Sequence, residues 1–173
     1  MRKLFLLCTV ITLTSLMSYA QEYSEDDKNK TTFGIKAGID QTFVFNADSS
    51  FDQVNYYAGF FSDTRLSLKT SFQFELRYVT YRQDHFIEIP LLFKYHFTDK
   101  FRMYIGPRFD FILDDKALAK NFSLAAEFGV EYDISKHFYI NASMSASLEN
   151  QIVIDQFNTG SRQNFRLGLG YRF

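Results

Sequence analysis

FYINASMSAS, residues 138–147, alternates without a break. In an extended chain successive side chains point to opposite faces. Phe138, Ile140, Ala142, Met144 and Ala146 therefore fall on one face, and Tyr139, Asn141, Ser143, Ser145 and Ser147 on the other. The closing stretch NFRLGLGYRF, residues 164–173, repeats the split: Phe165, Leu167, Leu169, Tyr171 and Phe173 oppose Asn164, Arg166, Gly168, Gly170 and Arg172. Helical spacing is nowhere sustained, so both segments read as two-faced strands.

The same division recurs toward the amino terminus. Thr32–Asp40 sets Phe33, Ile35, Ala37 and Ile39 against Gly34, Lys36, Gly38 and Asp40. Phe72–Tyr78 sets Phe72, Phe74, Leu76 and Tyr78 against Gln73, Glu75 and Arg77. A fourth segment opposes Ile87, Ile89, Leu91, Phe93 and Tyr95 to Glu88, Pro90, Leu92, Lys94 and His96. A fifth opposes Met103, Ile105, Phe109 and Phe111 to Arg102, Tyr104, Gly106, Arg108 and Asp110. A sixth opposes Phe122, Leu124, Ala126, Phe128 and Val130 to Ser123, Glu127, Gly129 and Glu131. Tyr56–Arg65 is the least regular: with Asp63 and Arg65 on the charged side, its other face is only Tyr56, Ala58, Phe60 and Ser62. A slip of one residue would invert that strand, so its register stays open.

The connections alternate in length. Tight ones fall around Leu66–Lys69, Thr98–Lys100 and Ile134–His137, and longer ones around Asn46–Asn55, Leu113–Lys120 and Glu149–Ser161. Short periplasmic turns and longer outer loops are the habit of membrane barrels. The connection near Arg82–His85 falls on the outer side yet is short, which counts against a large external binding site.

Length and composition agree with a single domain of this kind. The 173 residues include 21 Phe, 11 Tyr and no Trp, and a mean hydropathy of -0.19 is too wet for a helical membrane protein. Arg2 and Lys3, the apolar run Leu4–Met17 and the small residues Ser18 and Ala20 predict a signal peptide over residues 1–20. Residues 21–30 read as a polar periplasmic leader and residues 31–173 as the barrel domain. The single cysteine, Cys8, would leave with the signal peptide, which excludes disulfides, cysteine metal sites and cysteine catalysis. The charges are dispersed and nearly balanced, so no nucleic-acid partner is expected.

Alternation alone does not decide which face meets solvent, because a soluble ligand-carrying barrel also alternates and turns its apolar face inward. Eight strands of Phe, Leu, Ile and Tyr would overfill so small an interior. With the apolar face toward lipid, Phe33, Phe72, Tyr95, Phe97, Phe101, Tyr132, Phe138 and Phe173 become aromatic girdles at the interfaces. The lumen then holds Lys36, Arg77, Lys94, Arg102, Arg108, Arg166 and Arg172 with Asp40, Glu75, Glu88, Asp110, Glu127 and Glu131. Opposite charges in so narrow a lumen are expected to pair and plug it, because a buried charge without a partner is costly. His85, His96 and His137 sit at different strand ends and cannot converge, so neither an enzyme nor a cofactor or metal site is expected. The alternative reading is a narrow channel or a carrier of small apolar ligands.

AGFFSDTRLS (58–67), IEIPLLFKYHF (87–97) and YIGPRFDFIL (104–113) resemble the PorT-like family of outer-membrane barrels of Gram-negative bacteria. The features that carry the resemblance are Glu88–Tyr95, the Gly106-Pro107 pair and the glycine-rich Gly168–Phe173. It implies an all-β, OmpA-like, eight-stranded antiparallel up-and-down barrel crossing the outer membrane as a monomer. Membrane lipid and the barrel-assembly machinery are the implied partners, with the terminal aromatic Phe173 as assembly signal. The founding member's link to protein secretion implies envelope or secretion proteins as further contacts. Pro90 and Pro107 cannot donate to a sheet ladder, so a bulge or a missing bond is expected at each.

Overall fold

The computed structural model describes residues 30–45, 52–81, 84–113, 122–148, 152–155 and 158–173. The expected signal peptide, nearly all of the leader and the centres of the expected long connections lie outside these residues. The described strands are β1 (Thr31–Phe45), β2 (Asp52–Arg65), β3 (Thr70–Tyr81), β4 (Asp84–His96), β5 (Phe101–Ile112), β6 (Phe122–Asp133), β7 (Phe138–Ser147), β8 (Ile152–Asp155) and β9 (Asn158–Arg172). Neighbours pair antiparallel in chain order from β1 to β7, β9 follows β7, and β9 returns to β1 from Gly34↔Arg172 to Phe45↔Ser161. Eight strands thus close on themselves, which removes the exposed sheet edges that would otherwise recruit other chains.

β8 stands outside this ring and pairs only with the start of β9 (Ile152↔Gly160). Reading 149–161 as a plain connection is therefore corrected: it contains a short strand, and the last barrel strand begins at Asn158 rather than Asn164. The added part of β9, NTGSRQ, is polar throughout and has no apolar face to alternate. Hydrogen bonding to β8 and the end of β1 holds it extended instead.

The alternation holds in the folded barrel. Phe33, Phe60, Ile105, Met144 and Leu167 are exposed on the outside, and the charged positions of the same strands are buried. β2 takes the register that places Asp63 inward and Tyr56, Ala58 and Phe60 outward. The same register turns Tyr57 and Phe61 into the lumen.

Both prolines interrupt a ladder without shifting it. β3 and β4 are paired at Phe74↔Leu91 and again at Arg77↔Glu88, with the steps between them missing beside Pro90. β4 and β5 are paired at Pro90↔Arg108 and at Phe93↔Ile105, with the gap beside Pro107. Each proline therefore removes bonds and makes no bulge. At the second gap the backbones come close: a Cβ on Gly106 would lie 1.8 Å from the Leu91 carbonyl oxygen.

The tight turns at one end share one backbone. The N–H groups of Leu66, Phe97 and Ile134 donate to the carbonyl oxygens of Thr70, Phe101 and Phe138 at 3.0, 3.0 and 2.9 Å. The hydroxyls of Ser67, Thr98 and Ser135 accept the N–H groups of those same strand-opening residues at 3.1, 2.9 and 3.0 Å. A hydroxyl in second place thus fixes each turn by bonding its own backbone.

Candidate functional site

The interior offers the only concentration of charge that the strands converge upon among the described residues, and it divides into three groups. Toward the outer end, Arg166 on β9 donates to Asp40 on β1 at 2.7 Å and to Glu88 on β4 at 2.8 Å. Arg108 on β5 grips Asp110 through two bonds of 2.7 and 2.9 Å and donates to Ser145 at 2.6 Å. In the middle, Arg77 on β3 spans the lumen to Glu127 on β6 at 2.8 and 2.7 Å, and Glu75 bridges Arg77 and Lys36. Toward the end with the tight turns, Lys94 meets Glu131 at 2.7 Å and Asp63 at 3.1 Å. There Asp133 is shared by Arg102 and Arg172, the latter at 2.6 Å.

The outer and middle groups are tied to each other, because Glu127 lies 3.7 Å from Arg108 and 3.6 Å from Arg166, while within the third group Arg172 reaches Glu131 at 3.3 Å. The sequence-derived interior charges thus enter two networks, with Lys36, Asp40, Glu75, Arg77, Glu88, Arg108, Asp110, Glu127 and Arg166 in one and Lys94, Arg102, Glu131 and Arg172 in the other. Most are essentially inaccessible, with Arg77 at 1% and Arg108 and Lys94 at 0% exposure. Arg102 and Arg172 lie at the mouth and keep slight access. Removing such charges from water costs several kcal/mol each, on the order of what close pairing returns, so the arrangement holds only while each keeps a partner. The planar guanidinium fork, which takes carboxylates through two parallel bonds, suits Arg77 and Arg108 to this role.

Asp133 escaped the sequence reading although it continues the inward phase of Glu127, Gly129 and Glu131. Extending β6 by two residues would have found it. The inward face read from the sequence already held Tyr104 and Tyr139, but did not show which glycines make room for them. Tyr104 lies over Gly129, where a Cβ would sit 2.4 Å from its ring, and Tyr139 lies over Gly170, where the distance would be 2.0 Å. Arg172 in turn stacks 4.1 Å above the centre of Tyr139. Tyr57, Phe61, Leu92, Tyr104 and Tyr139 thus fill the space the ion pairs leave.

The histidines are placed apart. His85 bonds Tyr78 at 2.6 Å near the outer end, and His137 stacks on Tyr171 beside a tight turn. His96 lies 3.0 Å from Ser71 at the mouth, the one serine and histidine pairing among the described residues that looks like a nucleophile with its base. Its other nitrogen, Nδ1, accepts from the Arg102 guanidinium at 3.1 Å. That leaves the ring proton on Nε2, facing Ser71, so the imidazole donates to the serine and cannot take its proton. No group of three or more His, Cys, Asp or Glu among the described residues is placed to hold a metal.

A closed antiparallel ring, apolar outside and ion-paired within, is the form of a small membrane barrel, and the sequence agrees: the model of the outer membrane protein beta-barrel domain matches residues 6–173. The chain belongs to that family. This outer-membrane barrel shares its fold with Neisserial surface protein A, at 11% identity over 83% of this chain and 99% of that one, with a TM-score of 0.56. It likewise resembles Ail, the attachment invasion locus protein of Yersinia pestis, at 14% identity over 83% and 99% of the two chains, with a TM-score of 0.53. OprG of Pseudomonas aeruginosa aligns at 15% identity over 87% and 99%, with a TM-score of 0.50. At such identities the likeness is one of fold alone. Among curated proteins none matches the sequence. The outer membrane is where this barrel resides.

Proposed function

We propose that this outer-membrane barrel is a monomeric, non-enzymatic module whose lumen is a structural plug and whose partners meet it outside the lumen. The observation that carries the reading is the cross-lumen pair Arg77–Glu127, inaccessible to solvent and tied above and below to Arg108, Arg166 and Glu75. A conducting path would have to break this pair and leave two charges bare in a low-dielectric interior. The donation from Arg102 to His96 favours a structural rather than catalytic role for Ser71 and His96. The resemblance to PorT-like barrels supports a secretion or envelope protein as the contact, and β8 with the start of β9 offers a strand pair projecting beyond the barrel for it.

Photo-crosslinkers placed at Thr159 in that projection, in the native envelope, test the reading. Capture of one discrete envelope protein supports it. Absence of any protein adduct, together with passage of small solutes through the reconstituted barrel, contradicts it and favours a narrow channel.

A further inference from the structure

The three turns that share a backbone also share a chemical pattern. Each opens on an apolar residue, has a hydroxyl second and a base fourth: Leu66-Ser67-Leu68-Lys69, Phe97-Thr98-Asp99-Lys100 and Ile134-Ser135-Lys136-His137. Being short, they mark the periplasmic end. Their bases are exposed, and so are Leu68, Phe97 and Ile134, at 62, 56 and 58%. Lys30, Arg65, Lys69, Lys100 and Lys136 face a single acid in these turns, Asp99. Among the described residues, the rim formed by the tight turns therefore carries an excess of exposed bases over acids.

We propose that this rim is a seat for the anionic headgroups of the phospholipids that surround the barrel at its periplasmic end. Two relationships select lipid over other acidic partners. First, the apolar residues of the turns continue the lipid-facing band: Phe97 packs on Tyr95 with ring centres 4.8 Å apart and on Phe101 at 6.0 Å, and His137 stacks on Tyr171. A partner held at the lysines would also have to cover Phe97, Leu68 and Ile134, which a bilayer interface does without further fit. Second, long basic side chains beside apolar ones at a membrane edge place their stems in the acyl region and their charges among phosphates. The hydroxyl-fixed turns carry Lys69 and Lys100 in fourth place and Lys136 beside His137 in the third turn, and Arg65 braces the first turn through the carbonyl of Leu68 at 2.7 Å. This inference rests on the membrane location alone and is independent of the plug.

The test uses the full barrel folded into phosphatidylcholine vesicles and into mixed phosphatidylcholine and phosphatidylglycerol vesicles. The expected result is a higher urea midpoint in the mixed vesicles, lost at high salt because exposed charges are screened. The gain should also be lost in K69E/K100E/K136E, while that variant keeps its wild-type midpoint in phosphatidylcholine. Should charge reversal impair folding, K69Q/K100Q/K136Q provides the same comparison with a smaller perturbation. A midpoint indifferent to phosphatidylglycerol, or a gain of equal size in wild type and variant, would overturn the proposal. So would photo-crosslinking from position 100 in the native envelope that captures a protein and no lipid.

Discussion

Arg77 on β3 and Glu127 on β6 meet across the lumen through two parallel hydrogen bonds of 2.8 and 2.7 Å. Removing one partner leaves the other with weaker compensation, Arg77 with Glu75 and Glu127 with Arg108 and Arg166 only at 3.7 and 3.6 Å, so Arg77→Ala and Glu127→Ala should each cost up to about 3–5 kcal/mol. Replacing both together, as in R77M/E127L, should cost clearly less than the sum, because no bare charge remains and Glu75 keeps Lys36. Urea unfolding in lipid vesicles, followed by gel mobility, gives the comparison. Additive losses would mean the pair is not buried as described.

Two glycines predict different penalties for the same added methyl. At Gly129 the new Cβ meets the ring of Tyr104 and also the backbone carbonyl oxygen of Ala142 at 2.6 Å, so moving the ring relieves only part of the clash and Gly129→Ala should cost about 1–3 kcal/mol. At Gly106 it meets the Leu91 carbonyl oxygen, and relief requires spreading β4 from β5. Gly106→Ala should therefore be the worse of the two. The penalty at Gly129 should shrink in a Tyr104→Ala background, and an unchanged penalty there would contradict the packing of ring on glycine.

The lipid face predicts a dependence on depth. Leu167 is outward and mid-strand on β9, so Leu167→Arg should destabilise by roughly 2–4 kcal/mol. Phe33 is also outward but sits at the strand end, where its carbonyl accepts the N–H of Phe173 at 2.9 Å, so Phe33→Arg should cost only about 0–1 kcal/mol. Equal costs would place the bilayer elsewhere on the barrel.

What could be read from the sequence was what the bilayer imposes. Where a strand lies within lipid, apolar and polar positions must alternate, and Lys36, Glu75, Arg108 and Arg166 could be assigned inward on that ground alone. Where the strands leave the membrane the constraint lapses, and β8 and the start of β9 carried no signal. Alternation also says nothing about what fills the inside. Alternation turns Tyr104 and Tyr139 inward, but the room for the rings of Tyr57, Phe61, Tyr104 and Tyr139 comes from glycines on other strands. That fit between strands far apart in the chain is invisible to a period of two. The pairing of particular charges, such as Arg166 with Asp40 rather than Glu131, depends likewise on barrel closure.

Phe173 separates assembly from stability. It is 70% exposed and its ring meets Tyr171 at 5.7 Å, so its deletion removes little packing and one backbone bond. The reading of Phe173 as an assembly signal predicts that its loss reduces the amount of barrel in the outer membrane while leaving the unfolding midpoint of the assembled fraction close to wild type. Leu167→Ala should do the reverse, costing on the order of one or two kcal/mol without affecting targeting. An unchanged amount of folded barrel after deletion of Phe173 would remove the assembly role.

The plugged lumen is tested most directly by the ionic current through the folded protein in a planar bilayer, with folding verified by gel mobility before and after boiling. Pairs from the buried Asp40–Arg166 to Arg172–Asp133 at the mouth predict no steady conductance in the wild type. A stable, ohmic current through the wild-type barrel would contradict the account.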